Sequence, residues 1–302
     1  MSQIHAFFDF DDTLLEGDSI LYWLSYYYRQ KPLRRIFQLL NFFGMMLFCL
    51  RIISSHTLKR IFLYPMGWEN PLELDRLAQD FVKMDMARRF HPQVLERLWT
   101  HHLLGHKIVI LSASGIFYLK HLKIFLPMAD IQGSNLIWPN SFSLPKYEDG
   151  NLRGSNKIIR MNKLGYDNNQ KLSFAYSDHH HDLPLLHFSE FPTCIGPTKK
   201  LRAIAVAKGW PIVEVAKSND STGSIHAIES NSSPSTKVLA RLKKLRDLIL
   251  LSGTIVEQTC DPVHVAAIAR EYAPNHVQAL VQMVEKKYPR QFNAEIHKNI
   301  FG

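Results

Sequence analysis

Asp9, Asp11 and Asp12 fall within four residues of one another in FFDFDDTLL, directly after the apolar run Ile4–Phe8 and just before Thr13. Carboxylates crowded at the end of a buried strand repel one another, and each is pushed toward its protonated form unless a cation sits among them. Three further stretches carry matching chemistry. VILSAS ends a β-branched run on Ser112, Lys157 opens the segment KIIRMNKL, and SDHHHDLP places Asp178 and Asp182 four residues apart. Together they make a carboxylate pair, a hydroxyl, an ammonium and a second acidic pair. An all-oxygen acidic set of this kind suits Mg²⁺. With such a cation, one carboxylate can attack phosphorus to give an aspartyl-phosphate and so split hydrolysis into two easier steps. A second carboxylate two residues on can protonate the leaving oxygen and later take a proton from water. Lysine, hydroxyl and backbone N–H groups would neutralise the phosphoryl oxygens.

Such residues must be brought together by the chain between them. Ile4–Phe8, Ile108–Leu111 and Leu172–Tyr176 read as short, fully buried strands of the parallel kind, separated by helical segments. That alternation predicts an α/β fold with a Rossmann-like parallel sheet, in which ligands gather beyond the carboxyl ends of the strands. From about Asp18 to Leu103 the pattern is helical, with SILYWLSYYYRQ and LELDRLAQDFVKMDMARRF as its clearest stretches. Residues 1–17 and 104–215 are therefore expected to form the core and 18–103 an inserted helical cap. Gly115–Phe125 and Lys157–Leu164 read as helices, and Ala129–Ser143 with the Asp149-Gly150 turn as strands or a flap. The Ser- and Asn-rich stretch 216–236 reads as a linker, and 237–302 as a helical C-terminal extension.

The 302 residues are 46% hydrophobic and 21% charged, enough for a full core, with a formal net charge of +9. That charge favours anionic partners without choosing among phosphates, acidic lipid surfaces and nucleic acid. No recognisable nucleic-acid-binding module accompanies it, so nucleic acid is not expected as a partner. Cys49, Cys194 and Cys260 lie far apart, which argues against a zinc site or a disulfide framework and for a reducing, cytoplasmic setting. The opening MSQIHAFFDF lacks the features of a signal peptide. Ile36–Leu50 runs 15 residues without a charge, between Arg34 and Arg35 on one side and Arg51 on the other. This is short of the roughly 20 needed to span a bilayer, which leaves a buried helix or a segment dipping into the membrane interface. Arg29, Lys31, Arg34 and Arg35 could hold an anionic headgroup beside it. The triple histidine His179–His181 reads as a solvated loop, with a transition-metal ligand set as the second reading.

DFDDT resembles the first motif of the haloacid dehalogenase superfamily, DxDxT; Ser112 is similar to its second, Lys157 to its third and SDHHHD to its fourth. Order and spacing look like the phosphoserine-phosphatase-like branch, over about residues 3–212. The resemblance implies Asp9 as nucleophile, Asp11 as acid/base, and Ser112 and Lys157 on the phosphoryl group. It implies Mg²⁺ on the Asp9 side chain, the Asp11 carbonyl and Asp178, with Asp182 supporting the metal shell or Lys157. Asp18 stands where that branch often has a cap-side acidic residue facing the substrate. RQKPLRRIFQLLNFFGMMLFCL looks like the cap of bacterial phosphatidylglycerophosphatases of the C type, which implies a lipid phosphate as substrate and contact with a membrane. A small soluble phosphate such as phosphoserine is the alternative, and an adaptor acting through residues 237–302 a third. The chain departs from the family pattern at Ser177, where a glycine is usual, and at the three histidines that follow Asp178.

Overall fold

A computed structural model describes residues 4–103, 105–166 and 173–215. The expected linker and C-terminal extension lie outside the described residues. In chain order the elements are β1 (His5–Asp9), α1 (Ser19–Gln30), α2 (Gln38–Cys49), α3 (Ser55–Leu63), α4 (Pro71–Phe81) and α5 (Pro92–Leu103). There follow β2 (Lys107–Gly115), α6 (Ile116–Leu119), β3 (Asp130–Ser134), β4 (Leu136–Ile137), β5 (Lys146–Tyr147) and α7 (Ser155–Lys163). β6 (Ser173–Ser177), α8 (Leu183–Phe188), β7 (Phe191–Ile195), α9 (Lys199–Lys208) and β8 (Ile212–Val213) complete the described chain. Six strands form one sheet in the order β3-β2-β1-β6-β7-β8, with every neighbouring pair parallel. β4 and β5 make a separate antiparallel pair.

β1 sits centrally and is buried on both faces, which explains its unbroken apolar run. Ala6 and Phe8 join Ile108, Ile110 and Tyr176 in a core shared with the helices that follow β1, including Trp23, Phe81 and Leu98. Phe7, Val109, Leu111 and Ala175 face the other way, onto Met161, Leu185, Leu186 and Leu201. Full burial of each of the larger aliphatic and phenylalanine side chains among these contributes about 1.5–3 kcal/mol.

Local chemistry sets the helix ends. Asp18 caps α1 by accepting from Ile20 N, Ser54 caps α3 through Thr57 N, and Asn70 caps α4 through Leu72 N with Pro71 at the first position. Gly209, at φ 66°, closes α9 in the left-handed conformation. Two expected helices are shorter than their patterns. The long stretch ending at Phe90 breaks after Phe81 into a π turn, Val82–Met86, and a 3₁₀ turn. Gly115–Phe125 divides into α6 and a 3₁₀ turn. At the first break the chain turns Asp85 inward, where it meets Arg29, Arg88 and Arg89.

The uncharged segment proves not to be core. In α2 only Gly44 is buried; its missing side chain lets the helix lie against Leu58 and Ile61 of α3. Most of its large apolar side chains are exposed, Phe42 and Phe43 at 65% and 54%. Among the described residues, no helix is long and apolar enough to cross a membrane.

Candidate active site

Asp9 is the last residue of β1 and pairs in register with Leu111, so Ser112 on β2 stands beside it at the carboxyl edge of the sheet. Asp178 follows the last residue of β6 on the other flank. Past Asp9 the chain turns sharply. Leu14 N and Leu15 N both donate to the Phe10 carbonyl, and Asp12 takes φ 55°, a left-handed conformation that aspartate tolerates better than most residues. This turn returns Thr13 to the strand end. The Thr13 hydroxyl lies 3.2 Å from Asp9 Oδ2 and 3.3 Å from Asp178 Oδ1, and it accepts from Asp178 N at 3.0 Å. One buried side chain thus gathers the two carboxylates.

Lys157 lies in the first turn of α7 and is 2% exposed. Its Nζ donates to Asp9 Oδ1 at 2.5 Å and to Asp182 Oδ2 at 2.7 Å, while the Ser177 hydroxyl donates to the same Asp182 oxygen at 2.9 Å. Gly154 makes this approach possible. It precedes α7 at φ 58°, and a Cβ there would stand 3.2 Å from the His181 carbonyl. Lys163, the other lysine of this helix, is exposed. Ser177, where the family pattern has glycine, is fully buried and is used to hold Asp182.

Burial pushes the Asp9 carboxyl up to about 7; Lys157 pulls it down, and Asp182 and Asp11 push it further up. Burial alone would lower Lys157, but Asp182 and Asp9 more than offset this and hold its ammonium above the ordinary lysine value. A buried ion triad of this kind is costly to desolvate and is weak evidence of a stabilising role. Its place at the strand ends points to chemistry.

Asp11 is held as a hydrogen-bond acceptor on both oxygens. Ser19 N donates to Oδ1 at 2.8 Å, and the hydroxyls of Ser114 and Ser112 reach Oδ2 at 2.6 and 3.3 Å. Behind Ser114 stand Ser19 Oγ at 3.0 Å and, 2.9 Å further on, the Tyr118 hydroxyl. A consistent donor order runs Tyr118 to Ser19 to Ser114 to Asp11. Ser19, Ser114 and Tyr118 are the site residues that sequence reasoning missed. The one available signal was a second serine in VILSAS, on the same side of the strand as Ser112.

The other expected residues sit at the margin. Asp18 binds the start of α1 through Ile20 N, and no hydrogen bond joins it to Asp9 or Lys157 among the described residues. Burial pushes Asp18 up to about 6, the Asp11 charge adds to this, and Lys59 on α3 opposes it. Three of the four cations expected to hold a headgroup are paired instead. Arg29 meets Asp85, Lys31 meets Glu69 and Glu73, and Arg34 meets the almost buried Glu69 at 2.9 Å. His179, His180 and His181 cluster with ring centroids 4.2–4.6 Å apart, His179 and His181 stacked and His180 tilted against both. Burial and the two neighbouring rings lower His179 to about 4, so it is neutral at pH 7.

Oxygen donors suited to Mg²⁺ are present: the Asp9 and Asp178 carboxylates share the Thr13 hydroxyl, and Asp11, with its backbone carbonyl, belongs to the turn from Asp9 to Thr13. A buried Asp9 held up near 7 is the kind of carboxylate a cation would relieve. Among the described residues, the three side chains whose ligand atoms lie within 4.8 Å of one another are His179, His180 and His181. Among the described residues the carboxylates form no such trio; Lys157 bridges Asp9 and Asp182.

The sequence profile of the haloacid dehalogenase-like hydrolases matches residues 6–187, from within β1 through Asp178 and Asp182. The chain is 22% identical over 215 residues to the inhibition of morphological differentiation protein of Streptomyces azureus, covering 69% of this chain and 77% of that protein. It is 23% identical over 224 residues to a histidinol-phosphatase of Neisseria meningitidis, covering 69% and 97%. In structure it is similar to a protein of unknown function from Bordetella pertussis Tohama I, with TM-score 0.60, 21% identity, and 70% and 99% covered. With a profile spanning more than half its length and the four motif segments gathered at one sheet edge, the chain belongs to the haloacid dehalogenase-like hydrolase family.

Proposed function

We propose that this chain is a Mg²⁺-dependent phosphomonoester hydrolase that works through an aspartyl-phosphate on Asp9. It is a phosphatase of the haloacid dehalogenase-like family, and the observation that carries the mechanism is the buried triad Asp9–Lys157–Asp182 beside a hydrogen-bonded Asp11. Asp9 Oδ2 attacks phosphorus; the new O–P bond forms as the bond to the leaving oxygen breaks. Asp11, entering the step as the neutral acid, delivers its proton to that oxygen and then takes one from the water that attacks the aspartyl-phosphate; the P–O bond to Asp9 breaks, phosphate leaves, and both residues return to their starting forms. Lys157 and the Ser112 hydroxyl hold the phosphoryl oxygens, and Asp182 fixes Lys157. Asp9, the Asp11 carbonyl and Asp178 would hold Mg²⁺, which when bound neutralises phosphoryl charge. Residues 18–103 act as a cap over this edge, with Asp18 facing the substrate and Lys59 nearby.

The favoured substrate is an anionic phosphate with an apolar body, a lipid phosphate such as phosphatidylglycerophosphate. The apolar exposed α2 packs on α3, and α3 carries Lys59 within electrostatic reach of Asp18. A small soluble phosphate is the second reading, favoured by the likeness to a histidinol-phosphatase over 97% of that protein. Phosphate release from p-nitrophenyl phosphate, phosphoserine, histidinol phosphate, lysophosphatidic acid and phosphatidylglycerophosphate, with Mg²⁺ or with EDTA, separates them. Release confined to the lipids supports the first, and release from the soluble esters alone supports the second. Release that persists in EDTA removes Mg²⁺ from the mechanism.

A further inference from the structure

Between Leu33 and Ile52, eleven large apolar side chains are 37–92% exposed, Leu33, Ile36, Phe42 and Ile52 the most. Ordinary monomers keep contiguous apolar patches to a few hundred Å², and larger ones mark a partner. A helix apolar on nearly all sides is normally buried in protein or lipid, yet α2 has only the Gly44 face against α3.

Charge identifies the partner. From Ser19 to Trp68 there is no acidic residue, while Arg29, Lys31, Arg34, Arg35, Arg51, Lys59 and Arg60 are basic. Arg29, Lys31 and Arg34 are spent on Asp85, Glu69 and Glu73. Arg35, Arg51, Lys59 and Arg60 form no ion pair among the described residues. Arg51 ends α2 at φ 59°, a position glycine usually takes, and so sets an exposed guanidinium between the exposed Leu50 and Ile52. A second protein copy would bring the same unpaired cations against one another, whereas a sheet of lipid phosphates would pair them.

We propose that α2 and the turn after it dock on an anionic bilayer surface, with α2 lying in the interface and Arg35, Arg51 and Lys59 on lipid phosphates. This deepens the lipid-phosphate reading and rests on it for its purpose, since docking would set the Lys59 side of α3, and with it Asp18, toward the membrane. The binding itself requires no catalysis.

Flotation of the full chain with vesicles of phosphatidylglycerol and phosphatidylcholine, against phosphatidylcholine alone, tests it. The wild type is expected to float with the anionic vesicles at low salt and to dissociate as salt rises. Phe42→Asp/Phe43→Asp is expected to weaken partition on the order of 100-fold, and Arg51→Glu to a lesser degree. Both variants should keep wild-type turnover of a soluble phosphate ester. Absence of flotation at low salt overturns the proposal, as does flotation unaffected by the Phe42/Phe43 substitutions. A dimer in light scattering that those substitutions dissociate, in a chain that ignores vesicles, overturns it in favour of a second copy. Flotation without phosphate release from any substrate supports docking and counts only against the catalytic reading.

Discussion

Replacing Lys157 by methionine would remove the cation between two buried carboxylates while leaving a side chain of similar length. Even with Lys157 at 2.5 Å, Asp9 is raised from 3.8 to about 7, chiefly by burial. At about 1.4 kcal/mol per unit, that rise corresponds to about 4 kcal/mol of cost for keeping Asp9 ionised in the folded state. Without the lysine the cost grows, and breaking a buried ion pair from one side typically destabilises by about 3–5 kcal/mol. Urea unfolding in EDTA, so that no metal substitutes for the ammonium, should show a loss of that size for Lys157→Met at pH 8. The sign of the pH dependence follows from the raised carboxyl. The penalty is full above its folded value and fades as pH falls through that value toward 3.8, because the folded state then takes up the proton. The gap between wild type and Lys157→Met should therefore narrow between pH 8 and pH 5. Asp182→Asn in the Lys157→Met background should restore part of the loss, since it removes one of the uncompensated charges. A difference within about 1 kcal/mol at pH 8 would refute the reasoning. So would a difference that widens on acidification.

Two other substitutions test the surroundings of Asp11. Asp18→Asn keeps a capping side chain for α1 but removes a carboxylate raised to about 6 by burial and Asp11. It should stabilise the fold by about 1–3 kcal/mol above pH 6, with the gain vanishing toward pH 4, as thermal unfolding across pH would show. Ser114→Ala takes away the 2.6 Å donor to Asp11 Oδ2. It should lower kcat about 10- to 100-fold for alkyl phosphates, which need a proton on the leaving oxygen, and much less for p-nitrophenyl phosphate. Equal losses on both substrates would show that Ser114 does not act through Asp11.

Much of the site could be read from the sequence, for a physical reason. In a parallel sheet the residues after each strand converge, so Asp9, Ser112 and Asp178 needed only three short apolar runs to be placed together. Lys157 was legible only through its likeness to the third motif, since a lone lysine on a short helix carries no signal of its own; in the fold it lies buried between Asp9 and Asp182. The hydroxyl chain Tyr118–Ser19–Ser114 was not legible, because each member is an ordinary residue until the fold sets α6, α1 and β2 side by side. Nor could the pattern decide Ile36–Leu50. An unbroken apolar run looks the same for a core helix and an exposed one, and only the exposure of its large side chains in the fold separates them. The pairing of Lys31 and Arg34 was also hidden, since their partner Glu69 lies 35 or more residues away. The break after Phe81 escaped because VKMDM suits an α-helix as well as a π turn.

The nucleophile is the centre of this account, and acid-quenched mass spectrometry tests it most directly. Protein mixed with Mg²⁺ and a turning-over substrate, then quenched and digested, should carry one phosphoryl group on the peptide that contains Asp9. Asp9→Asn should carry none and release no phosphate while unfolding as cooperatively as wild type. A phosphoryl group on a histidine of His179–His181, or sustained turnover by Asp9→Asn in a clean preparation, would contradict it.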